Sequence, residues 1–216
     1  MKIEYLGHSC FRIQTESGIT IVTDPYTKVG YELPNDLTAD IVCLSHEHFD
    51  HNYVEAIKGN PVIINEEGEY AVQGVKIVGA HTWHDSKQGA LRGSNIIFKL
   101  QIDGITICHF GDLGEMYSDK LTKILFGTDV WLIPVGGTYT IDAAQAKEYI
   151  DTCKPKAVIP MHYLPDDGAL DIEEVNVFLQ MMDEYPIIER LSGSLILSEK
   201  DLTEGQTKIF YMERIK

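Results

Sequence analysis

The most chemically informative run of the sequence is His46-Glu47-His48-Phe49-Asp50-His51, which places three of the eight histidines within six positions. Imidazole and carboxylate groups are ligands that zinc, manganese and iron accept in proteins. His46 and His48 are two positions apart, so an extended backbone turns both side chains to the same side. Asp50 and His51 are adjacent and can serve a second position where the chain turns. The run therefore predicts a metal site.

A polar surface loop is the simpler interpretation of the same residues. The run follows directly on Ile41–Ser45, a short apolar segment typical of a buried strand. A tight loop that leaves a buried strand can direct adjacent side chains toward one point. Four ligand-type residues in six positions, in that context, favour the metal site.

The elements that must position this run are mostly short strands, predicted from β-forming residues and turn signals at Lys2–Leu6, Cys10–Gln14, Ile19–Thr23, Ile41–Ser45, Pro61–Asn65, Val75–Gly79, Asn95–Ile102, Ile105–Phe110, Asp129–Val135, Ala157–Pro160, Ser194–Leu197 and Lys208–Met212. Helical spacing predicts helices at Val54–Lys58, Met116–Phe126, Asp142–Cys153, with Asp142 as a possible N-cap, and Asp171–Asp183. Strands dominate the first half and alternate with helices in the second. This order indicates a layered α/β architecture with helices outside one or two sheets.

The run His46-x-His48-x-Asp50-His51 resembles the signature motif of the metallo-β-lactamase fold superfamily. Other segments resemble one branch of it, the ascorbate-6-phosphate lactonase-like group of Zn-dependent hydrolases. They are Gly7-His8-Ser9-Cys10-Phe11, Thr23-Asp24-Pro25, Trp83-His84-Asp85, Arg92-Gly93-Ser94-Asn95, His109-Phe110-Gly111-Asp112-Leu113-Gly114, Pro134-Val135-Gly136-Gly137-Thr138 and Ile159-Pro160-Met161-His162-Tyr163. The resemblance implies an αββα sandwich, with two mixed β-sheets packed face to face and helices on the outer faces, in a single domain over residues 1–216.

The resemblance also implies two divalent metal ions, with zinc as the first expectation and manganese or iron as the others. The implied ligands are His46, His48 and His84 for the first metal, Asp50, His51 and His162 for the second, and Asp112 as the bridge. His81 is the alternative to His84, since both follow the strand predicted at Val75–Gly79. The order aromatic residue, His, Asp in Trp83-His84-Asp85 favours His84.

Six residues near these motifs are candidates for roles around the metals or the substrate: Asp24, His8, His81, Arg92, His109 and Gly137. Asp24 could accept a hydrogen bond from a ligand histidine, or could be a turn residue before Pro25. His8 and His109 could face the site or pack near it, and packing is favoured for His109. His81 could support the ligands or be a histidine at the edge of the core.

Arg92 and Gly137 are candidates for binding an anionic substrate. Arg92 offers a fork of donors to such a substrate, but an exposed arginine with no role fits its position equally. Gly136-Gly137-Thr138 could bind an oxyanion through backbone N–H groups, or could form a flexible turn between a strand and a helix.

The ligand set favours hydrolysis by a water that bridges the two metals. Metal coordination lowers the pKa of water from about 15.7 to about 7, which yields hydroxide at neutral pH. By the resemblance, Asp50 is the catalytic residue that orients this hydroxide. The substrate expected from the branch is a small ester, lactone or phosphoester.

Two other function classes use the same fold. An iron-dependent oxidoreductase of the sulfur dioxygenase type holds one iron, and the full set of seven ligands argues against it. A metal-free binding module would lack some of the metal ligands, and this chain has a ligand residue at each of the seven positions. Metal content and electronic absorption separate these classes.

Composition limits the partners. The 216 residues carry a net charge of −15, and 44% of them are hydrophobic, so the chain has an acidic surface and enough apolar residues for a core. We expect no nucleic-acid partner and, without an apolar run of roughly 18–20 residues, no membrane span. A small molecule, an anionic one included, is the expected partner, because bound cations reverse the local field. Four cysteines without a C-x-x-C pair predict buried free thiols and a cytoplasmic protein, and the oligomeric state is left open.

Overall fold

The computed structural model describes residues 1–190, 192–203 and 205–215. Within them the strands are β1 (Lys2–Gly7), β2 (Cys10–Gln14), β3 (Thr20–Thr23), β4 (Ile41–Cys43), β5 (Val62–Ile64), β6 (Gly68–Val72), β7 (Val75–Trp83), β8 (Ser94–Ile102), β9 (Ile105–His109), β10 (Val130–Pro134), β11 (Ala157–Met161), β12 (Ile187–Arg190), β13 (Ser194–Ile196) and β14 (Lys208–Met212). The α-helices are α1 (Asp119–Leu125), α2 (Ala143–Cys153) and α3 (Val175–Met181), and short 3-10 helices span Val54–Ala56 and Glu199–Asp201.

The strands form two mixed sheets. The smaller has the order β13-β1-β2-β3-β4-β5, and the larger has the order β12-β14-β11-β10-β9-β8-β7-β6. In the smaller sheet β1 and β4 run in the same direction, because two antiparallel pairings and one parallel pairing separate them. In the larger sheet β7, β9, β10 and β11 share one direction by the same reasoning. Each sheet therefore collects the carboxyl ends of several strands at one edge.

Alternate residues of the smaller sheet face two different hydrophobic clusters, as the period of a β-strand requires. One set joins the main cluster, which includes residues of the larger sheet: Ile3, Tyr5, Phe11, Ile13, Ile21, Ile41 and Cys43. The other set packs in a second cluster on the opposite face: Leu6, Cys10, Val22 and Val42. Since both faces are buried, a one-residue slip of register would disturb two packed layers.

The fold expected from the resemblance is confirmed, with one difference in the layer that covers the smaller sheet. The second cluster is completed by Tyr26, Val29, Leu37 and Ile57, which come from an irregular segment and a neighbouring 3-10 turn. Pro25 and Pro34 lie in this segment, and proline disfavours a continuous helix. On the other side of the molecule α2 packs against β10 and α3. Asp142 is the N-cap of α2, as predicted, and forms a capping box with Gln145.

Several predicted boundaries differ from the structure. The segments β6 and β12 were not predicted as strands; β6 is rich in exposed Gly, Glu and Ala, and β12 has four residues at a sheet edge. The helix predicted at Asp171–Asp183 is shorter, because the backbone of Glu173 bonds to Gly136 and Leu164 before the helix starts. The helix predicted at Met116–Phe126 begins only at Asp119, and that at Val54–Lys58 is a 3-10 turn.

All four cysteines are free thiols, and Cys10, Cys43 and Cys108 are buried as predicted. Within the part of the chain that the structure describes, no helix combines the length and the apolar character that a bilayer crossing requires.

Candidate metal centre

The predicted ligands lie in loops that follow strands of both sheets. His46, His48, Asp50 and His51 follow β4, and His84 follows β7 directly. Asp112 follows β9, and His162 follows β11. Because these carboxyl ends meet at one edge of the sandwich, residues distant in sequence converge there.

Backbone hydrogen bonds join the two sheets at this edge. The N–H of His162, beyond β11, donates to the carbonyl of His8 at 2.8 Å, and the N–H of Ile96 in β8 donates to the carbonyl of Ser45 at 2.9 Å. These bonds fix the loops of the smaller sheet against those of the larger one. The distance between the two halves of the site is therefore set by the main chain and does not depend on side-chain packing alone.

Asp112 lies at the centre of the converging side chains and is almost completely buried. Its Oδ1 is 3.2 Å from Nε2 of His51. Its Oδ2 is 3.3 Å from Nε2 of His84 and 3.3 Å from Nε2 of His162. One carboxylate thus faces histidines that the sequence assigned to two different metals.

Two groups of potential ligand atoms flank this carboxylate. The first group comprises His46, His48 and His84, and the second comprises His8, Asp50, His51 and His162; within each group the ligand atoms lie within 4.8 Å of one another. His46 and His51 also group with Asp112 itself. The structure therefore brings together all seven predicted ligands, and it adds His8 to the second group.

Asp24 supports the ligands from beneath and is fully buried. Its Oδ2 accepts from the hydroxyl of Ser45 at 2.6 Å and lies 2.9 Å from Nδ1 of His51. Since the hydroxyl proton of Ser45 is directed to Asp24, Nδ1 of His46, 2.9 Å from that hydroxyl, is the donor there. This relay directs the Nε2 atoms of His46 and His51 to act as acceptors, as metal ligation requires.

Asn95 positions Asp112, and sequence reasoning assigned it no role. Its side-chain amide donates to the carbonyl of Phe110 at 2.9 Å, and its Oδ1 accepts the backbone N–H of Asp112 at 2.8 Å. Gly111 has a φ of 53°, and a Cβ there would lie 2.3 Å from Oδ1 of Asn95. The signal in the sequence was an amide residue directly before the apolar run Ile96-Ile97-Phe98.

Electrostatics keep Asp112 ionised. Burial alone would raise its pKa, but the neighbouring imidazoles of His162 and His51 hold that pKa well below its ordinary value of 3.8. Burial likewise opposes the charged form of His51, but the carboxylates of Asp112 and Asp24 raise its pKa well above 6.5. A positive charge is thus favoured between these carboxylates.

The donor set fits divalent metal ions. Several buried polar atoms of the residues that form the centre have no hydrogen-bond partner among the described residues, and four of them face other members of the centre: Nε2 of His8, Nε2 of His51, Oδ1 of Asp112 and Nε2 of His162. Buried polar atoms without partners are rare in folded proteins, because each one loses its hydration without compensation. Cations at this centre would satisfy imidazole nitrogens and carboxylate oxygens together.

His81 and His109 lie outside the ligand groups found among the described residues. Nε2 of His81 is 3.3 Å from the hydroxyl of Ser94, and its ring contacts Trp83. The ring of His109 is buried between two backbone groups: its Nε2 is 2.8 Å from the carbonyl of Ser9, and its Nδ1 accepts the N–H of Gly111. His109 therefore packs beneath the site and holds the glycine that precedes Asp112.

Arg92 belongs to a loop that Asp85 organises. The two carboxylate oxygens of Asp85 accept four backbone N–H groups, those of Lys87, Gly89, Leu91 and Arg92. The guanidinium of Arg92 donates to the carbonyl of Thr138 at 3.0 Å and lies 5.4 Å from the ring centroid of Tyr139. The arginine thus connects the loop after His84 with the loop after β10.

Gly137 forms part of a closed turn in that second loop. Its N–H donates to the carbonyl of Ile141, and its own carbonyl accepts from Tyr139 and Thr140. Since the N–H groups of Gly137, Tyr139 and Thr140 are hydrogen-bonded within the turn, the structure supports a structural turn at Gly137 and not an oxyanion site. The neighbouring Gly136 packs on His162, because a Cβ there would lie 2.2 Å from the carbonyl oxygen of His162.

Known proteins share this sequence pattern and fold. Residues 2–162 match the model of the β-lactamase superfamily domain. A UPF0173 metal-dependent hydrolase of Carboxydothermus hydrogenoformans is 30% identical over 194 residues, which cover 76% of this chain and 84% of that protein. A UPF0173 metal-dependent hydrolase of Methanospirillum hungatei is 31% identical over 207 residues, which cover 85% of this chain and 91% of that protein.

A crystal structure from Thermotoga maritima, of a protein assigned to the metallo-β-lactamase superfamily, has the same architecture. The two chains are 37% identical and superpose with a TM-score of 0.78, over 98% of this chain and 99% of that one. The likeness thus extends over both sheets and includes the part of the chain beyond residue 162.

Proposed function

The chain belongs to the β-lactamase superfamily as a metal-dependent hydrolase, and on that premise we propose that it works with two divalent metal ions on a small ester, lactone or phosphoester. His46, His48 and His84 would hold the first metal, and Asp50, His51 and His162 the second. Asp112 would bridge the two. Zinc is the first expectation, and the same donors accept manganese and iron.

The observation that carries this proposal is the position of the Asp112 carboxylate. Its Oδ2 lies 3.3 Å from His84 in one ligand group and 3.3 Å from His162 in the other. A buried, ionised carboxylate between two sets of imidazoles is suited to neutralise and join two cations. A site for one metal would not need ligand groups on both sides of it.

When bound, two divalent ions supply an activated water and polarise the scissile carbonyl or phosphoryl group. The protein contributes the arrangement around them. Asp50 extends from the second group and is only partly buried, so its carboxylate can accept a hydrogen bond from the attacking water and orient it. Asp24 fixes the tautomers of His46 and His51 through the relay with Ser45.

The substrate class rests on the surroundings of the centre. Arg92 lies eight residues after His84, in a loop held by Asp85, and bridges to the turn after β10. The loop that carries Arg92 begins at the ligand His84, and a guanidinium in that loop would favour a substrate with an anionic group, in spite of the net charge of −15 on the whole chain. A small phosphoester or a lactone with an acidic substituent meets this requirement.

The decisive experiment replaces Asp112. We expect Asp112→Asn and Asp112→Ala to lower metal content from two ions per chain and to abolish turnover in a panel of lactones, phosphomonoesters and phosphodiesters. Asp119→Asn, an exposed change on α1, is the matched control and should retain both. Turnover that survives in both Asp112 variants would refute the two-metal mechanism. One redox-active iron per wild-type chain would instead favour the oxidoreductase of the sulfur dioxygenase type.

A further inference from the structure

His8 faces the second ligand group although the superfamily motif does not assign it a ligand role. It follows β1 and is almost completely buried. Its Nε2 has no hydrogen-bond partner in the part of the chain that the structure describes, and lies 3.3 Å from Oδ2 of Asp50. Its ring centroid is 4.2 Å from that of His162 and 4.9 Å from that of His51.

The backbone holds this ring in place in a conformation that costs energy. His8 has a φ of 52°, in the left-handed region that is unfavourable for a residue with a Cβ atom. The carbonyl of His8 accepts the N–H of His162 at 2.8 Å and the hydroxyl of Tyr5 at 3.1 Å. The end of β1, through Tyr5, and the loop after β11 thus fix the backbone that carries the imidazole.

We propose that His8 is a ligand of the second metal, through Nε2. This inference rests on the two-metal function proposed above. The ligand atoms of His8, Asp50, His51 and His162 all lie within 4.8 Å of one another, so a single ion can be reached by all four. The competing role for His8 is a hydrogen bond to Asp50 that only positions that carboxylate.

The proposal makes the two metal positions unequal. The first has three imidazoles and a share of Asp112, whereas the second has three imidazoles, Asp50 and a share of Asp112. More protein donors at the second position leave fewer coordination sites for water there and strengthen binding. The second metal should therefore be the last to leave during chelation, and the open coordination sites should lie mainly on the first metal.

Titration of the metal-free protein with Zn²⁺ or Co²⁺ tests the inference without any substrate. His8→Asn and His8→Gly both accept a positive φ, so the backbone and its bond from His162 can persist. We expect both variants to bind the more tightly held ion more than about 100-fold less well. That loss exceeds the roughly 10–100-fold typical of removing a hydrogen-bonding neighbour of a ligand, for which Asp24→Asn is the matched comparison.

A second measurement distinguishes the two roles of His8. In the Co²⁺-loaded wild type, each ligand histidine should contribute hyperfine-shifted ring protons to the NMR spectrum, and His8→Asn should lose one set. Circular dichroism and thermal unfolding of the metal-free variants check that the fold is kept. If the wild type binds two ions and His8→Asn keeps all shifted histidine signals or loses less than about 100-fold in affinity, His8 is not a ligand. A wild type that binds no second ion would contradict the proposed function itself.

Discussion

Oδ2 of Asp24 lies 2.9 Å from Nδ1 of His51, on the side of the ring opposite the candidate metal. The same carboxylate receives the N–H of Ser45 at 2.7 Å and its hydroxyl at 2.6 Å. Asp24 therefore controls the tautomer of His51 directly and that of His46 through Ser45. It has a φ of 38°, a strained value that the surrounding hydrogen bonds maintain.

The first prediction concerns Asp24→Asn. The amide keeps the size of the side chain but loses an acceptor and the negative charge, so the imidazole of His51 becomes a poorer ligand. We expect metal affinity to fall roughly 10–100-fold, measured by competition with a chromophoric chelator. Thr20→Ser, at the start of the strand β3 that precedes Asp24, is the control. Wild-type affinity in Asp24→Asn would mean that the relay does not tune the ligands.

The second prediction separates the two histidines of β7 and its following loop. His84 lies 3.3 Å from the Asp112 carboxylate, whereas His81 contacts Ser94 and Trp83. We expect His84→Gln to lose one metal ion per chain on dialysis, because the first position then keeps only two imidazoles. His81→Gln should retain both ions. Elemental analysis of the dialysed proteins measures the metal content. If His81→Gln lost an ion and His84→Gln kept both, His81 would be the ligand and His84 would not.

The third prediction tests the close packing beneath Asp112. A Cβ at Gly111 would lie 2.3 Å from Oδ1 of Asn95 and 2.5 Å from Cβ of Ser45. We expect Gly111→Ala to destabilise the protein by about 2–4 kcal/mol, from left-handed strain together with overpacking, and to weaken metal binding by displacing Asp112. Chemical denaturation and metal titration measure the two effects.

Gly127 provides the matched control for this change. It has a positive φ of 75°, and a Cβ there would meet no atom of the described residues within 4 Å. Gly127→Ala should therefore show the backbone cost of roughly 1–2 kcal/mol without the loss of metal affinity. Equal effects of both substitutions on metal binding would show that the contact with Asn95 does not position Asp112.

The fourth prediction concerns acid stability and lies outside the metal centre. Burial raises the pKa of Glu4, but hydrogen bonds from Arg12 at 2.6 Å and from Lys2 outweigh it and lower the pKa below the ordinary 4.5. A depressed folded pKa stabilises the protein above about pH 4.5, and this contribution is lost as the pH falls through the folded pKa. We expect Glu4→Gln to be less stable than wild type at pH 7 by about 1 kcal/mol or less.

The difference between Glu4→Gln and wild type should then shrink as the pH falls below 4.5. Urea denaturation of the metal-free proteins across pH 3–7 measures it, so that metal release does not contribute. Glu16→Gln, at an exposed position, is the control and should follow the wild-type curve. A difference that stayed constant with pH would mean that the ion pair with Arg12 does not lower the pKa of Glu4.

The sequence was most informative where local pattern and chemistry coincide. The β-forming residues of β1 and β2, the helical spacing of α2 and the cap at Asp142 are local features, so these elements were predictable with small errors at the ends. The predicted element boundaries were wrong where contacts with distant residues determine the backbone conformation. At Glu173, for example, backbone bonds to Gly136 and Leu164 replace the first turn of the predicted helix. The edge strand β6 was not predicted, because its own residues have low β propensity and its pairing with β7 holds it in the sheet.

By itself, the sequence determined that a cluster of metal-ligand residues follows a buried strand at His46 to His51, and resemblance extended that cluster to His84, Asp112 and His162. Only the tertiary structure decided how these residues meet. The carboxyl ends of strands in two separate sheets come together at one edge, and backbone bonds between His162 and His8 and between Ile96 and Ser45 set their spacing. His8 and Asn95 acquired their places in the site in this way, because proximity across a sandwich is a property of strand order and packing that no local pattern encodes.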